Sequence, residues 1–428
     1  MNRKREDIEI MAPAGSYEAL MGAIQGGADS VYFGIEHLNM RSNSAANFKM
    51  VDLPKIVDIC LQHGLKSYLT VNCILFDEDL DLMRMVIDTA KATGVSAIIA
   101  MDMAAVIYAR QVGVEVHMST QLNITNIESV RFFSQYADVM VLAREVSLDK
   151  AQRISEAIDA QQIKGPSGRL VEIEMFVHGA LCMAVSGKCY LSLHDQNKSA
   201  NKGACMQNCR KSYIVTEKES GQQLEVDNEQ IMSPSDLCTI GFVDKLIDSG
   251  VRVFKIEGRA RPAEYVKTVV ECYREAVDAY FEESYTQEKI TAWEGRLTTV
   301  FNRGFWDGYY LGRKLGEWTK AYGSKATKVK VYVGKVTNYF AKIGVAEFKI
   351  EAAELKKGEE FLIVGPTTGV VEGVVDEIRN EQLEVVTSVS QGDITTMPIP
   401  TFLRRGDKLY KMMPTVYSLQ TPSAASQP

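Results

Sequence analysis

The sequence contains no hydrophobic run long enough to cross a membrane and no secretion signal. No stretch approaches the roughly 18 consecutive apolar residues that a membrane helix needs. The first residues, MNRKREDIEIM, are charged, and no apolar region follows them as it would in a signal peptide. We therefore expect a cytoplasmic protein without a membrane partner.

Three common motifs are also absent. The sequence has no His-Glu-x-x-His zinc motif and no Gly-x-Ser-x-Gly nucleophile elbow. No Gly-x-Gly-x-x-Gly fingerprint follows the first predicted strand, which counts against a dinucleotide-binding open sheet. These absences argue against the best-known hydrolase classes, although Cys182 close to His178 leaves a cysteine peptidase as an alternative.

Cysteine is infrequent, and its eight positions fall into two groups. Four cysteines occur singly in apolar stretches, where a thiol behaves as a small buried hydrophobic group; these are Cys60, Cys73, Cys238 and Cys272. The other four lie within 28 residues, in the pattern Cys182-x6-Cys189-x15-Cys205-x3-Cys209. Disulfides are rare in a reducing compartment, so this second group needs another explanation.

The spacing of the second group leaves three interpretations open. Four thiolates can bind a soft metal, and the basic neighbours Lys188, Lys202, Arg210 and Lys211 favour the thiolate form. In structural zinc sites, two to four residues usually lie between paired cysteines. Six residues lie between Cys182 and Cys189, so this spacing fits zinc poorly. An iron–sulfur cluster accepts wider spacing. Four cysteines without a ligand are the third alternative.

Eight short apolar runs in the first 260 residues predict β-strands that alternate with amphipathic helices. Such runs are typical of parallel strands buried on both faces. They span residues 8–12, 30–33, 66–71, 97–101, 114–118, 138–142, 172–177 and 252–256. Eight strands with intervening helices over about 250 residues predict an α/β fold, a TIM-like (β/α)8 barrel, with a doubly wound open sheet as the alternative.

Breaks in this rhythm predict the domain boundaries. The barrel spans 1–325 and includes a long cysteine-bearing insertion, 178–238, after the seventh strand and a helical extension, 262–318. An insertion there lies on the catalytic face of a barrel. Alternating short strands predict a small β-barrel domain at 326–413, and 414–428 is predicted to be a disordered tail.

Polar residues follow the ends of several predicted strands, where a barrel enzyme places its site. Each could instead form a rim hydrogen bond, but together they predict a cationic pocket for a carboxylate or phosphate ligand. The predicted substrate-binding residues are Asn72, Ser119, Gln121, Arg144, Lys255, Glu257 and Arg259. Glu174 and His178, on and after the seventh strand, are the nearest candidates for a catalytic base.

Charge is unevenly distributed along the chain. The net charge is −7, but residues 301–350 carry ten Lys and Arg side chains against three acidic ones. A basic stripe at 303–349 on an acidic protein predicts contact with a specific polyanion, unless it is only a solvated lysine-rich face.

The segment EMFVHGALCMAVSGKCYLS, at 174–192, resembles the signature of the U32 peptidase family, Glu-x-Phe-x-x-Gly-[Ser/Ala]-x-Cys-x6-Cys-x-x-Ser. Its fixed positions are met by Glu174, Phe176, Gly179, Ala180, Cys182, Gly187, Cys189 and Ser192. Further blocks resemble the family in the same order, at 12–15, 119–121, 143–147, 203–213 and 255–259. The resemblance extends over most of residues 8–410.

This resemblance implies functions that the residues alone do not show. The family name implies collagenase-like proteolysis, but the resemblance extends to oxygen-independent hydroxylases of ubiquinone precursors, of rRNA cytidine and of wobble uridine in tRNA. It implies a 4Fe–4S cluster on Cys182, Cys189, Cys205 and Cys209. The tRNA branch is similar in layout, a barrel followed by a small β-barrel, and implies prephenate as the oxygen-donating co-substrate.

Three hypotheses follow. The first is a prephenate-dependent tRNA uridine 5-hydroxylase that uses an iron–sulfur cluster and binds tRNA. The second is a collagenase-like peptidase. The third is a hydroxylase of another substrate, rRNA or a quinone precursor, or a non-catalytic RNA-binding module with zinc. Protein partners and the oligomeric state are not determined by the sequence.

Overall fold

A computed structural model gives the fold of the chain. The structure describes residues 4–42, 47–185, 187–211, 213–226, 233–312, 316–317, 319 and 323–419. No helix within these ranges combines the length and the apolar character that crossing a membrane requires.

The predicted barrel is confirmed. Eight parallel strands pair with their neighbours in chain order, and the last strand pairs with both the first and the seventh, which closes the ring. The strands are β1 (Glu9–Pro13), β2 (Ser30–Phe33), β3 (Lys66–Val71), β4 (Ala97–Ala100), β5 (Glu115–Met118), β6 (Val139–Val141), β7 (Glu172–Gly179) and β11 (Val251–Ile256). The chain therefore adopts the TIM-like fold and not the open doubly wound sheet.

Helices cover the outside of the barrel because each strand buries both of its faces. On β3, Tyr68 belongs to the cluster inside the barrel, whereas the next residue, Leu69, packs in the core between strands and helices. The helices are α1 (Tyr17–Gln25), α2 (Leu53–Gln62), α3 (Leu80–Thr93), α4 (Met103–Val112), α5 (Ile127–Phe133), α6 (Leu148–Gln161), α7 (Leu191–Gln196), α8 (Val243–Asp248), α9 (Ala263–Phe281) and α10 (Gln287–Thr299). Several begin at a side chain that accepts an amide hydrogen bond, as helix caps do; these caps are Ser16, Asp102, Asn126 and Thr286.

The insertion starts after β7, and its last strand pairs with the end of β7. After α7 it forms a hairpin of β8 (Tyr213–Thr216) and β9 (Gln223–Val226). It then forms β10 (Asp236–Cys238), which pairs antiparallel with the end of β7 and parallel with β12 (Phe305–Trp306). The insertion therefore stands at the carboxyl ends of the barrel strands.

An antiparallel sheet of eight strands and a separate pair of strands follow the barrel. The ten strands are β13 (Lys328–Phe340), β14 (Val345–Ile350), β15 (Leu355–Lys356), β16 (Glu360–Gly365), β17 (Gly369–Val374), β18 (Ile378–Arg379), β19 (Val385–Val386), β20 (Ser388–Val389), β21 (Ile394–Pro398) and β22 (Lys408–Pro414). Eight of them pair in the order β17, β16, β22, β13, β14, β21, β18 and β19, and β15 pairs with β20. Within the described part of the chain these pairings leave the eight-stranded sheet open, so closure into a small barrel stays a prediction.

Residues after this sheet fall within the predicted disordered tail. Val416–Leu419 form one helical turn, which the prediction did not include. Residues 420–428 lie outside the described residues.

The antiparallel sheet contacts the barrel through α1 and α9. Gln25 Nε2 donates a hydrogen bond to the Thr368 carbonyl at 3.0 Å, and Gln25 Oε1 accepts one from the Val370 amide at 2.8 Å. Lys267 forms an ion pair with Glu372 at 2.9 Å. Because the glutamine bonds the backbone of a strand turn, it holds the sheet in one position against the helices.

Replacing Leu69 by alanine should destabilise the barrel, because this side chain is completely buried between strand and helices. We expect the free energy of unfolding to fall by about 2–5 kcal/mol. Leu61→Ala is the matched control, since Leu61 is 67% exposed and its truncation should cost less than about 0.5 kcal/mol. Denaturant unfolding followed by circular dichroism measures both. Equal losses in the two variants would contradict the fold.

Candidate active site

A cavity opens at the carboxyl ends of the barrel strands, beside the insertion. Its volume is about 810 Å³, which lies within the usual range for small-molecule sites. Its walls combine side chains from the loops after β2, β3, β5, β6 and β11 with side chains of the insertion. Barrel enzymes carry their active sites at this end, so this cavity is the candidate active site.

All seven residues predicted to bind substrate line this cavity. They are Asn72, Ser119, Gln121, Arg144, Lys255, Glu257 and Arg259. Some of them also make rim hydrogen bonds: the Ser119 hydroxyl donates to the Gln121 side-chain oxygen, and Asn72 Oδ1 accepts from the Met40 amide at 3.2 Å. Forming rim hydrogen bonds is therefore compatible with lining the cavity, and substrate binding by these residues stays a prediction.

The floor of the cavity carries a buried ion pair. Lys255 Nζ donates to Glu174 Oε1 at 2.6 Å, and Glu174 has no exposed surface. Lys255 is the partner that lines the cavity, where its Nζ lies 4.7 Å from the centre of the Tyr32 ring. Burial alone raises the pKa of Glu174, but Lys255 and His117 outweigh it and lower that pKa. Glu174 is therefore a carboxylate.

A second charged group forms one side of the cavity. Arg41 Nη2 donates to Glu257 Oε1 at 2.7 Å, so this pair is internally balanced. Arg259 Nη1 donates to Asn39 Oδ1 at 3.1 Å and to Thr70 Oγ1 at 3.0 Å. Burial lowers the pKa of Arg259 to about 10, which still leaves it charged at neutral pH. Arg259 is thus held in place by neutral groups.

Arg144 reaches the cavity from the loop after β6. Its Nη1 donates to the Ala180 carbonyl at 2.8 Å, and its guanidinium lies 4.0 Å from the centre of the Phe176 ring. An aromatic face orients a guanidinium without neutralising it. The fork of Arg144 is therefore positioned and still charged.

Four further arginines line the cavity that were not among the predicted substrate-binding residues. They are Arg41, Arg210, Arg261 and Arg303. The Arg261 guanidinium lies 3.5 Å from the centre of the Phe301 ring, and Arg303 lies 3.4 Å from the Asp236 carboxylate. The sequence indicated Arg210 only as a neighbour of the cysteines and Arg303 only as part of the basic stripe, and it gave no signal for Arg41.

Cationic side chains far outnumber acidic ones along the described wall of the cavity. Glu257 is the single carboxylate there, against eight cations. The cations are Arg41, Arg144, Lys188, Arg210, Lys255, Arg259, Arg261 and Arg303. Such an excess in a concave site raises the local concentration of anions.

All four clustered cysteines line the same cavity. Cys182 is exposed, and Cys189, Cys205 and Cys209 are half-buried. Burial raises the pKa of the Cys209 thiol, Arg210 lowers it, and the other three thiols raise it further. The four sulfur groups therefore lie near enough to influence one another.

Hydrogen bonds beside the cysteines tie their segments together. Arg210 Nη2 donates to the Leu181 carbonyl at 3.0 Å, and Ser192 Oγ accepts from the Met206 amide at 2.9 Å. Gly203 has a φ of +82°, and a Cβ there would lie 2.2 Å from a serine hydroxyl of the loop after β2. Glycine at this position therefore allows the segment before Cys205 to pack on the barrel rim.

The donor chemistry of this quartet fits an iron–sulfur cluster. Within the described ranges no three His, Cys, Asp or Glu side chains form a group that could hold a single metal ion. A 4Fe–4S cluster takes one thiolate on each of its four irons. The cavity supplies four thiols, which is the number and type of ligand that such a cluster needs.

The two predicted catalytic bases do not reach the cavity. Glu174 is fully buried and bonded to Lys255. His178 is 1% exposed and covered by β10, with Tyr273 Oη 3.5 Å from its Nδ1. Burial, and to a lesser extent Arg261, lowers the pKa of His178 to about 3. Neither side chain lines the cavity, so their role as catalytic bases stays a prediction that these positions do not favour.

In the described part of the predicted basic stripe, several cations are paired with carboxylates. Lys328, Lys330 and Lys335 each form an ion pair with a glutamate. Arg313, Lys314 and Lys320 lie outside the described residues. The clearest excess of positive charge in the described structure is instead inside the cavity.

The fold and this site define a TIM-like barrel enzyme whose cationic cavity is lined by four cysteines. The sequence matches the model of peptidase family U32 over residues 15–320. The chain therefore belongs to peptidase family U32, as its signature segment indicated.

Relatives in this family carry two kinds of name. A protein named collagenase from Porphyromonas gingivalis strain W83 is 59% identical over 95% of this chain and 98% of its own length. The tRNA hydroxylation protein P1 of Bacillus subtilis is 33% identical over 87% of this chain and 88% of its own. The 23S rRNA 5-hydroxycytidine C2501 synthase of Escherichia coli is 36% identical over 72% of this chain and 46% of its own.

Replacing Lys255 by methionine should destabilise the protein, because the buried Glu174 carboxylate loses its closest cation. We expect a fall of about 3–5 kcal/mol in the free energy of unfolding. The double variant Lys255→Met/Glu174→Met should recover most of this loss, since it leaves no unpaired buried carboxylate. Lys342→Met, on an exposed turn, is the matched control. A double variant as unstable as the single one in denaturant unfolding would contradict the pairing.

Proposed function

We propose that this protein is an RNA-modifying hydroxylase that acts on wobble uridine of tRNA, with prephenate as co-substrate and a 4Fe–4S cluster on its four clustered cysteines. The observation that carries the proposal is the cavity, because four thiols and a large excess of cations line the same space. Relatives named for tRNA hydroxylation and for rRNA 5-hydroxycytidine synthesis support the same class of reaction.

The charge of the cavity supports an anionic co-substrate. Prephenate is a dicarboxylate, and arginine forks bind carboxylates with two parallel hydrogen bonds. Arg144 and Arg259 are oriented by an aromatic ring and by neutral oxygens, so their charge is available to a ligand. Lys255 supplies a third cation on the floor. These three side chains would hold the two carboxylates.

Other cavity residues are suited to the nucleotide. Lys188, Arg210 and Arg303 come from the insertion and the segment after α10, at the wall that carries the cysteines, and would contact phosphate groups. The amides of Asn72 and Gln121 offer a donor and an acceptor each, which suits the edge of a pyrimidine base. The volume fits one extruded nucleotide better than a helical stretch of RNA.

Cys182, Cys189, Cys205 and Cys209 would hold the cluster. When bound, such a cluster supplies electron transfer or a Lewis-acidic iron. The chain itself contributes basic neighbours that favour thiolates, and its hydrogen bonds from Arg210 and to Ser192 keep the cysteine segments together.

A collagenase-like peptidase is the second candidate, because the relative at 59% identity carries the name collagenase. None of the five histidines of the chain lines the cavity. The cavity thiols therefore lack the imidazole that activates the nucleophile of a cysteine peptidase. Gelatin degradation by anaerobically purified protein would support this second candidate against the first.

Protein purified without oxygen should contain iron and sulfide and should absorb light at about 400 nm, as iron–sulfur proteins do. Cys182→Ser should lose most of its iron, because one of four ligands is removed. Cys60→Ser is the matched control, since Cys60 is buried in α2 far from the insertion in sequence, and it should retain iron. Colourless, zinc-loaded wild-type protein in metal analysis would contradict the cluster.

Deleting the gene from a host without a paralogue should abolish 5-hydroxyuridine derivatives in tRNA, measured by mass spectrometry of nucleosides. The wild-type gene should restore them. The gene for Arg144→Met should restore less than one tenth of the wild-type amount of these nucleosides, because a charge-assisted contact to the co-substrate contributes about 1.5–3 kcal/mol. Arg131→Met, on the exposed side of α5, should restore them fully. Unchanged tRNA in the deletion strain rejects the proposal.

A further inference from the structure

The barrel interior below the cavity contains several ionisable side chains, where TIM barrels usually bury branched apolar ones. His117, on β5, lies among them and is only 2% exposed. Its Nδ1 lies 3.7 Å from Glu174 Oε2, and its Nε2 lies 3.7 Å from Glu115 Oε1. The imidazole is therefore placed between two carboxylates.

A neutral imidazole does not suit this position. A neutral ring has one N–H donor and one lone pair, so its lone pair would face a carboxylate oxygen. The imidazolium presents an N–H to both sides. His117 Nδ1 and Glu174 Oε2 are buried atoms that have no hydrogen-bond partner within the described residues, and they face each other at 3.7 Å. Burial lowers the pKa of His117, but Glu115 and Glu174 outweigh it and raise that pKa to about 9.

The groups around His117 come from five barrel strands and one loop. Below the ring, Lys66 Nζ donates to Glu9 Oε2 at 2.6 Å, and the Tyr68 hydroxyl donates to Glu9 Oε1 at 2.8 Å. The titratable and charged side chains that act most strongly on His117 or on its two carboxylates are Glu9, Lys66, Tyr68, Glu115, Arg169, Glu172, Glu174 and Lys255.

The charge balance at the floor of the cavity depends on this histidine. Glu174 Oε1 accepts a hydrogen bond from Lys255. Without a further cation, this lysine–glutamate pair has no net charge that could attract an anionic ligand. Glu115, on the other side of the ring, has Arg169 3.5 Å away. With His117 protonated, two cations share the Glu174 carboxylate, so that Lys255, Glu174 and His117 form one group of three. Lys255 is the one member of the three that lines the cavity.

We propose that His117 is a positioning residue: as a buried cation it shares the Glu174 carboxylate with Lys255 and so leaves Lys255 with net positive charge toward a small dicarboxylate in the cavity. The choice of a dicarboxylate rests on the proposed function. The proposal that His117 and Lys255 share the Glu174 carboxylate rests on the two 3.7 Å contacts of His117 and on its burial.

Malonate, a dicarboxylate that undergoes no reaction here, tests the inference in the full-length protein. His117→Gln should bind it roughly tenfold more weakly at pH 7.5 by calorimetry, the effect of one unit charge about 10 Å away at an effective dielectric constant of about 20. Glu128→Gln changes the net charge on an exposed helix and should leave the affinity unchanged. Equal affinities of wild-type and His117→Gln protein, or no binding by the wild type, would overturn the inference.

The pH profile separates a charge effect from a packing effect. Because the pKa of His117 in the folded protein is about 9, its charge is present at neutral pH and is lost as the pH rises through that value. Malonate affinity of the wild type should fall across this range, and His117→Gln should lack that step. Glu115→Gln removes one of the two carboxylates and should move the step to lower pH. A step that persists in His117→Gln would belong to other groups, such as the thiols, and would overturn the inference.

Nitrogen-15 NMR of histidine-labelled wild-type protein is independent of whether His117→Gln folds. The His117 ring, assigned as the buried histidine signal that remains in His178→Gln, should show two protonated nitrogens at pH 7. A neutral tautomer would overturn the inference. Failure of the proposed function is distinguishable, because unchanged tRNA in the deletion strain would leave the malonate and NMR results standing.

Discussion

The buried ion pair between Lys255 and Glu174 is the interaction on which the site depends. Glu174 lies on β7 and Lys255 on β11, the two strands whose pairing closes the barrel. A carboxylate with no exposed surface is tolerated only beside a cation, so the pair favours the closed arrangement of these strands. The same pair places a lysine on the floor of the cavity.

The end of β7 extends this constraint to the cysteines. Gly179 has a φ of +102°, and a Cβ there would lie 2.3 Å from the Glu257 carbonyl. Only glycine allows the end of β7 to approach the segment after β11 this closely. Cys182 follows three residues later in the chain. The signature segment thus combines a buried carboxylate, a close backbone approach and, at Ser192, a hydrogen bond to the segment beside Cys205. These are structural requirements of a cysteine-lined cavity, and they need no peptidase dyad.

The distribution of charge explains how an acidic chain forms a cationic site. The chain has a net charge of −7, but the fold gathers arginines and lysines from three strand ends, from the insertion and from the segment after α10 around one cavity. Elsewhere many cations are paired, as Lys330 is with Glu264. Local concentration of charge, and not overall composition, therefore determines which ligand the protein attracts.

The sequence by itself determined the strand pattern and the candidate ligands. Each barrel strand lies within two residues of its prediction, because a parallel strand buried on both faces leaves a continuous apolar run. The spacing of the four clustered cysteines and the polar strand ends likewise indicated residues that the cavity brings together.

Only the tertiary structure decided which of these side chains face the cavity. Neighbouring residues of a strand point to opposite faces of the sheet. His178, at the end of β7, is also covered by β10, which pairs with β7 at that position. Long-range contacts also decided the pairing of Glu174 with Lys255 and His117 and the pairing of the lysines after residue 327. Such contacts join residues far apart in the chain, so local pattern carries no record of them.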